Sequence, residues 1–171
     1  AASATAATIT AAPCTEPALT ATATTTAATT TAATTVGALP SRAGTPYDGA
    51  LFVFDLALPA TYPAQPPTVH YLTQGVGERL NPNLYENGKV CLSLLGTWQG
   101  DSGESWHAKT STLLQVLMSI QALILVPDPF FNEPGYERNR GTPEGDRQSR
   151  SYNEAIREAT VRFAMIGHLN K

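Results

Sequence analysis

Cys91 follows directly on the polar turn Glu86-Asn87-Gly88-Lys89, and two asparagines, Asn81 and Asn83, lie ten and eight positions upstream. A thiol paired with a side-chain carboxamide suits acyl transfer. The thiolate attacks a carbonyl, and the amide N–H stabilises the developing oxyanion without competing as a base. The Asn-Gly turn predicts that Cys91 sits near a loop edge rather than in mid-sheet. Pro82 fixes the approach to Asn83, and Lys89 favours the thiolate if it folds toward the sulfur. The plain alternative is that Cys91, between Val90 and Leu92, is a small buried apolar residue. The chemical reading therefore requires a sulfur that an incoming chain can reach.

A base is missing from the pattern. Cysteine hydrolases activate the thiol with histidine, yet His70, His107 and His168 are far apart and none is recognisably paired with Cys91. An acyl-accepting thiol without a strong base suits transthiolation, in which the next nucleophile arrives on another protein and water reacts slowly.

The elements that must position this group read as strands first and helices after, which is the order of an α+β domain. Gly44-Thr45-Pro46-Tyr47-Asp48-Gly49 is a turn signal. Leu51 to Leu58 alternates, with Phe52, Phe54, Leu56 and Leu58 on one face, and predicts a half-buried strand. Four prolines between Pro59 and Pro67 make a rigid loop, and Thr68 to Leu72 predicts a second strand, antiparallel to the first. Ser111 or Thr112 caps a helix to about Val126, with Leu113, Leu117, Ile120 and Ile124 inward and Pro127 and Pro129 ending it. A second helix is predicted from about Ser149 to Gly167, with Tyr152, Ile156, Ala159, Phe163 and Ile166 inward. Arg138/Arg140 and Arg147/Arg150 read as solvated loop, His107 as surface, and Trp98 and Trp106 as core or loop anchors.

The chain of 171 residues carries a formal charge of −3 and suits one domain with a real core. Nothing in that balance points to nucleic acid or to an anionic membrane. Cys14 and Cys91 lie in unlike surroundings and give neither a disulfide framework nor zinc-ligand spacing. A secretory leader is not recognisable, and Leu113 to Val126 is too short and too polar to span a bilayer. The expectation is a soluble cytoplasmic protein, with the nucleus also open to it. Residues 1–35 are mostly Ala and Thr, with Glu16 the single charge. They are either a genuine low-complexity extension or unassigned sequence entered as small residues, and neither supports a functional inference. Residues 36–171 form the predicted functional domain.

Tyr62-Pro63-Ala64-Gln65-Pro66-Pro67, Asn81-Pro82-Asn83 and Gly88-Lys89-Val90-Cys91-Leu92 resemble, in order and spacing, the core of a ubiquitin-conjugating (E2) domain. Thr97-Trp98, Trp106, the Leu113–Val126 helix, Pro127-Asp128-Pro129 and the Tyr152–Met165 helix fall in the same family order, so the resemblance covers about residues 36–168. Leu95-Gly96-Thr97-Trp98-Gln99-Gly100, the extra residues before Trp106, and Phe131 to Arg138 resemble the large BRUCE/Apollon-type members, whose relatives include the plant phosphate-response and hybrid E2/E3 enzymes. Many of these are long polypeptides, which leaves open that the chain is a fragment.

The resemblance implies a UBC fold, with an antiparallel meander of about four strands and flanking helices. It implies that Cys91 takes ubiquitin from E1 as a thioester and passes it to a substrate lysine, directly or through an E3 ligase. Asn83 would serve the oxyanion or support the loop, and Asn81, Pro82, Lys89 and Asp128 would support the active site. No metal or organic cofactor is implied, and ATP is consumed by E1. The chain departs from the common pattern at Asn81, where histidine is usual, and at Ala64, where RING-binding members carry a bulkier residue. It departs also at Phe131-Asn132-Glu133, where small members place an acid, and in the basic first helix that usually meets E1, which is not recognisable in residues 1–35. Two rivals are a non-catalytic E2-like binding module, against which Cys91 argues, and a cysteine hydrolase on another fold.

Overall fold

The computed structural model describes residues 33–73, 79–100 and 103–167. Cys14, His168 and the Ala/Thr tract up to residue 32 lie outside the described residues.

Three antiparallel strands form a sheet in the order β1 (Thr34–Pro40), β2 (Leu51–Ala57), β3 (Thr68–Tyr71). Alternation sets which face is buried. Phe52, Phe54 and Leu56 of β2 point into the core beside Leu39, Val69 and Tyr71, while His70 points out. Register is pinned by Gly37 opposite Phe54 and by Phe54 opposite Tyr71, because a slip of one residue would turn every aromatic to solvent. The expected strand pair is thus β2 and β3, and β1 adds a third strand to the meander.

Thr112, not Ser111, caps the first helix. Its hydroxyl accepts from the Gln115 N–H (3.2 Å) while the Gln115 side chain accepts from the Thr112 N–H (2.9 Å), a reciprocal capping box. Helix α1 (Leu113–Ser119) passes into a π turn over Ile120–Ile124. Val116, Ile120 and Ile124 are its fully buried face, with Leu113 and Leu117 only partly covered. The helix packs closely under β1. A methyl at Gly37 would meet Leu56 and Leu117, and the Gln121 amide donates to the Pro40 carbonyl (3.0 Å).

The second helix starts six residues earlier than the sequence reading. Thr142 caps it, accepting from the Gly145 N–H (3.0 Å), and Pro143 occupies the first turn of α2 (Pro143–Ala159). Arg147 and Arg150 are therefore helical rather than loop residues, and Arg147 pairs with Glu144 one turn away. A π turn over Thr160–Ile166 extends α2. Its wider winding turns Thr160 and Ala164 inward and leaves Ile166 about half exposed, against the expected stripe. Sheet, α1 and α2 share one apolar core.

Candidate functional site

Asn81 is fully buried, and its carboxamide spends both ends on backbone order. Nδ2 donates to the Tyr47 hydroxyl (2.8 Å) and the Ile124 carbonyl (2.7 Å), and Oδ1 accepts from the Asn83 N–H (2.7 Å). Tyr47 in turn donates to the Leu80 carbonyl (3.0 Å). Burial pushes the Tyr47 phenol well above its usual range, with the Asn81 bond pulling the other way, so Tyr47 stays a neutral donor. One side chain thereby ties the turn before Cys91 to the end of α1 and to the β1–β2 connection.

Asn83 and Cys91 are joined reciprocally. The Cys91 N–H donates to the Asn83 carbonyl (2.9 Å), and Asn83 Nδ2 donates to the Cys91 carbonyl (3.0 Å). Asn83 Oδ1 is enclosed without a partner. The segment between them is closed by the expected turn. Gly88 has φ +83°, which favours glycine, and a methyl there would also push the exposed His70 ring aside. The Tyr71 N–H donates to the Gly88 carbonyl (2.7 Å), fixing this loop to β3.

Thr97 secures the other flank. Its hydroxyl donates to the Val90 carbonyl (2.6 Å) and accepts from the Leu92 N–H (3.0 Å), clasping the backbone on both sides of Cys91. The chain can return so soon because the turn Ser93–Leu95 ends at Gly96 in the left-handed region (φ +67°). Sequence reasoning placed Thr97 in family order but did not assign it this clasp.

Cys91 is a free thiol with only 2% of its surface exposed, and it lines an open cleft of about 230 Å³. Asn83, Ser93, Trp98, Glu104, Leu123 and Asn132 are among the residues that line it. Cys91 is therefore nearly covered beside an open cleft rather than carried on an exposed ledge, and an incoming chain reaches the sulfur only if the lining moves aside. Trp98, expected as a core or loop anchor, belongs to this wall. Trp106 does act as an anchor, donating to the Pro63 carbonyl (2.7 Å) beside Tyr62. Asn132 lines the cleft with its amide held by the Leu123 carbonyl (2.8 Å), whereas Phe131 is buried beneath Arg140. Among the described residues, Glu104 is the one carboxylate of the lining. No local pattern links it to Cys91, which hid it from sequence reading; the extra residues before Trp106 were the available signal.

Lys89 and Asp128 lie elsewhere. Lys89 Nζ is 5.6 Å from the Tyr85 ring centroid, and its side chain lines a separate cavity of about 480 Å³ with Pro67 and His70. Asp128 faces α2. It accepts from the Ser149 hydroxyl (3.1 Å), lies 3.9 Å from Arg140, and starts the 3-10 turn Pro129–Asn132 that carries the Asn132 wall. Among the described residues, no cluster of His, Cys, Asp or Glu could hold a metal ion, and no helix is long and apolar enough to cross a membrane.

A meander packed on the apolar face of a helix, with Cys91 beside the Asn83 and Asn132 turns, defines an α+β domain of the UBC fold. The family model described as ubiquitin-conjugating enzyme matches residues 13–160, and the chain belongs to that family. It is 55% identical over 125 residues to the human dual E2 ubiquitin-conjugating enzyme/E3 ubiquitin-protein ligase BIRC6, covering 72% of this chain and 3% of that protein. It is 59% identical over 111 residues to the probable ubiquitin-conjugating enzyme E2 25 of Arabidopsis thaliana, covering 65% of this chain and 18% of the relative. Against the probable ubiquitin-conjugating enzyme protein 17 of Caenorhabditis elegans, identity is 53% over 128 residues, or 74% and 17% of the two chains. The chain thus spans less than a fifth of each of these relatives.

Proposed function

We propose that Cys91 is the acyl carrier of an E2 reaction. Its thiolate attacks the carbonyl of ubiquitin's C-terminal glycine on a charged E1, the E1 thiolate leaves, and ubiquitin is held as a Cys91 thioester. A substrate lysine amine then attacks that carbonyl, the Cys91 thiolate leaves, the amine gives up a proton, and an isopeptide bond results. The observation that carries this reading is the placing of Cys91: a free cysteine that lines an open cleft and is bonded through its own backbone to the Asn83 carboxamide. One Nδ2 proton of Asn83 serves the Cys91 carbonyl and the other is free to meet an oxyanion, so loop support and oxyanion stabilisation are compatible. The Glu104 carboxylate in the wall attracts an incoming ammonium. Among the described residues no histidine lines the cleft with Cys91, which favours transfer over hydrolysis.

The family supplies the partners of this reading in general terms: ubiquitin, E1, an E3 ligase and a protein substrate. Similarity to a dual E2/E3 relative extends the reading to a hybrid enzyme that needs no separate ligase. A thiol chemistry that requires reduced cysteine fits the cytoplasm, with access to the nucleus.

The test is a charging assay. With E1, ATP and ubiquitin, the chain is expected to form an adduct on a non-reducing gel that reductant removes, and Cys91→Ala forms none. Cys91→Ser converts it to an ester that survives reductant. No adduct on the wild-type chain, with the same E1 charging another E2 in parallel, overturns the carrier reading in favour of a binding module. Release of free ubiquitin from a conjugate points to a hydrolase.

A further inference from the structure

We propose that Arg79 is a positioning residue that sets the width of the Cys91 cleft by holding both of its walls. The proposal rests on the carrier reading above. Asn83 stands in one wall and Asn132 in the other. The Arg79 guanidinium donates to the carbonyl of Pro82, the residue before Asn83. It also lies 4.0 Å from the carboxylate of Glu133, the residue after Asn132. Its central carbon is 4.2 Å from the centroid of the Tyr85 ring, within the same turn as Asn83. One planar cation therefore stacks on the first wall, bonds its backbone and reaches the second.

Energy is not what makes this contact consequential. Both partners of the ion pair are more than a third exposed, and such pairs contribute little to stability. Geometry is the point, because near-attack placement is sensitive to shifts of about 1 Å, which can cost on the order of 100-fold in rate. The far wall has its own tethers to the core: Asn132 to the Leu123 carbonyl, Asn153 to the Pro127 carbonyl (2.8 Å) and Asp128 to Ser149. Losing Arg79 leaves each wall folded and the Asn83 turn still joined to Ile124 through Asn81, but loosens the spacing on the Asn132 side. Charging, in which a flexible tail enters the cleft, tolerates a looser spacing better than aminolysis, in which Asn83 and the incoming amine must meet one carbonyl. Arginine is required for its flat fork; a lysine ammonium is a point charge that cannot stack and bond both walls at once.

The experiment uses the 171-residue chain, charged with E1 and ubiquitin, then chased with free lysine after E1 is quenched. The expected result for Arg79→Met is charging within twofold of wild type and discharge slowed about tenfold, as a lower maximal rate at unchanged KM for lysine. Arg79→Lys restores less than half of that loss. Glu133→Gln slows discharge several-fold, and combined with Arg79→Met it adds little further. Urea unfolding of each variant checks that it is folded, and if Arg79→Met is not, Glu133→Gln with Arg79→Lys carries the test. Discharge at the wild-type rate, full rescue by Arg79→Lys, or additive losses in the double variant overturns the clamp. A wild-type chain that never charges would instead refute the carrier reading.

Discussion

Asn81→Leu removes the carboxamide that orders the site while nearly keeping its volume. Three hydrogen bonds disappear: two from Nδ2, to Tyr47 and Ile124, and one to Oδ1 from the Asn83 N–H. The partners fare differently. Tyr47 keeps its own donation to the Leu80 carbonyl, so it loses about 1 kcal/mol of bonding. The Ile124 carbonyl keeps the Val126 N–H (2.9 Å) and likewise loses about 1 kcal/mol, while the half-buried Asn83 N–H is left unpaired, at about 1–3 kcal/mol. The sum is roughly 4 kcal/mol, a large share of the 5–15 kcal/mol typical of a domain. In urea, with a slope of about 2 kcal/mol per molar, the midpoint should fall by about 2 M at unchanged slope. Discharge of the Cys91 thioester should slow in whatever fraction stays folded, because Asn83 loses the bond that orients its turn. Asn81→Asp sharpens the point. It keeps an acceptor for the Asn83 N–H but turns a second oxygen on the Ile124 carbonyl, so its deficit should shrink as pH falls and the new carboxyl protonates. A loss below about 1 kcal/mol for Asn81→Leu would mean that the amide is dispensable and that apolar packing alone positions the turn.

Thr97→Val deletes only the hydroxyl that clasps Val90 and Leu92. Unfolding should be easier by about 1–2 kcal/mol, with amide exchange at Leu92 rising more than exchange in β2, and equal protection at both places would contradict the clasp. Alkaline conditions test the buried phenols. Burial, offset by Arg79 and reinforced by Glu133, pushes Tyr152 up to about 12, and burial also raises Tyr47 and Tyr71. The unfolded value is about 10, so the stability tied to Tyr152 is complete below pH 10 and is lost as pH climbs from there through about 12. Tyr152→Phe should flatten that decline by up to one proton, about 1.4 kcal/mol per pH unit, in urea titrations at pH 9.5 and 11. An unchanged slope would place Tyr152 in solvent.

Local chemistry was the most legible part of the chain. The alternation of Phe52, Phe54 and Leu56 named the buried face of β2, and Glu86-Asn87-Gly88-Lys89 named the turn before Cys91. Thr112 with Gln115 was readable as a cap because the capping box is a local rule. Misreadings arose where another signal competed. The start of α2 was set too late, since the polar stretch from Pro143 to Gln148 looked like loop, although Thr142-Pro143 carries a start signal of its own. Ile166 was expected inward because a 3.6-residue period was continued through a π turn that changes the phase.

The cleft itself was the least legible, for a reason of topology rather than of missing pattern. Its lining comes from four places in the chain: Asn83, the run from Cys91 to Trp98, Glu104, and the Leu123–Asn132 region. Only the first two share a local turn, and these were the ones spacing could connect. Asn132 and Leu123 share the cleft with Cys91 because the helix that α1 begins ends under the Asn81 turn, a meeting recorded by the bond from Asn81 to the Ile124 carbonyl. That bond spans forty-three residues and is made by the one motif position at which this chain departs from the usual histidine. The departure keeps the structural work of the position, since a carboxamide supplies both a donor for the helix end and an acceptor for the turn. A side chain that only donates or only accepts could close one side of the cleft but not register it against the other.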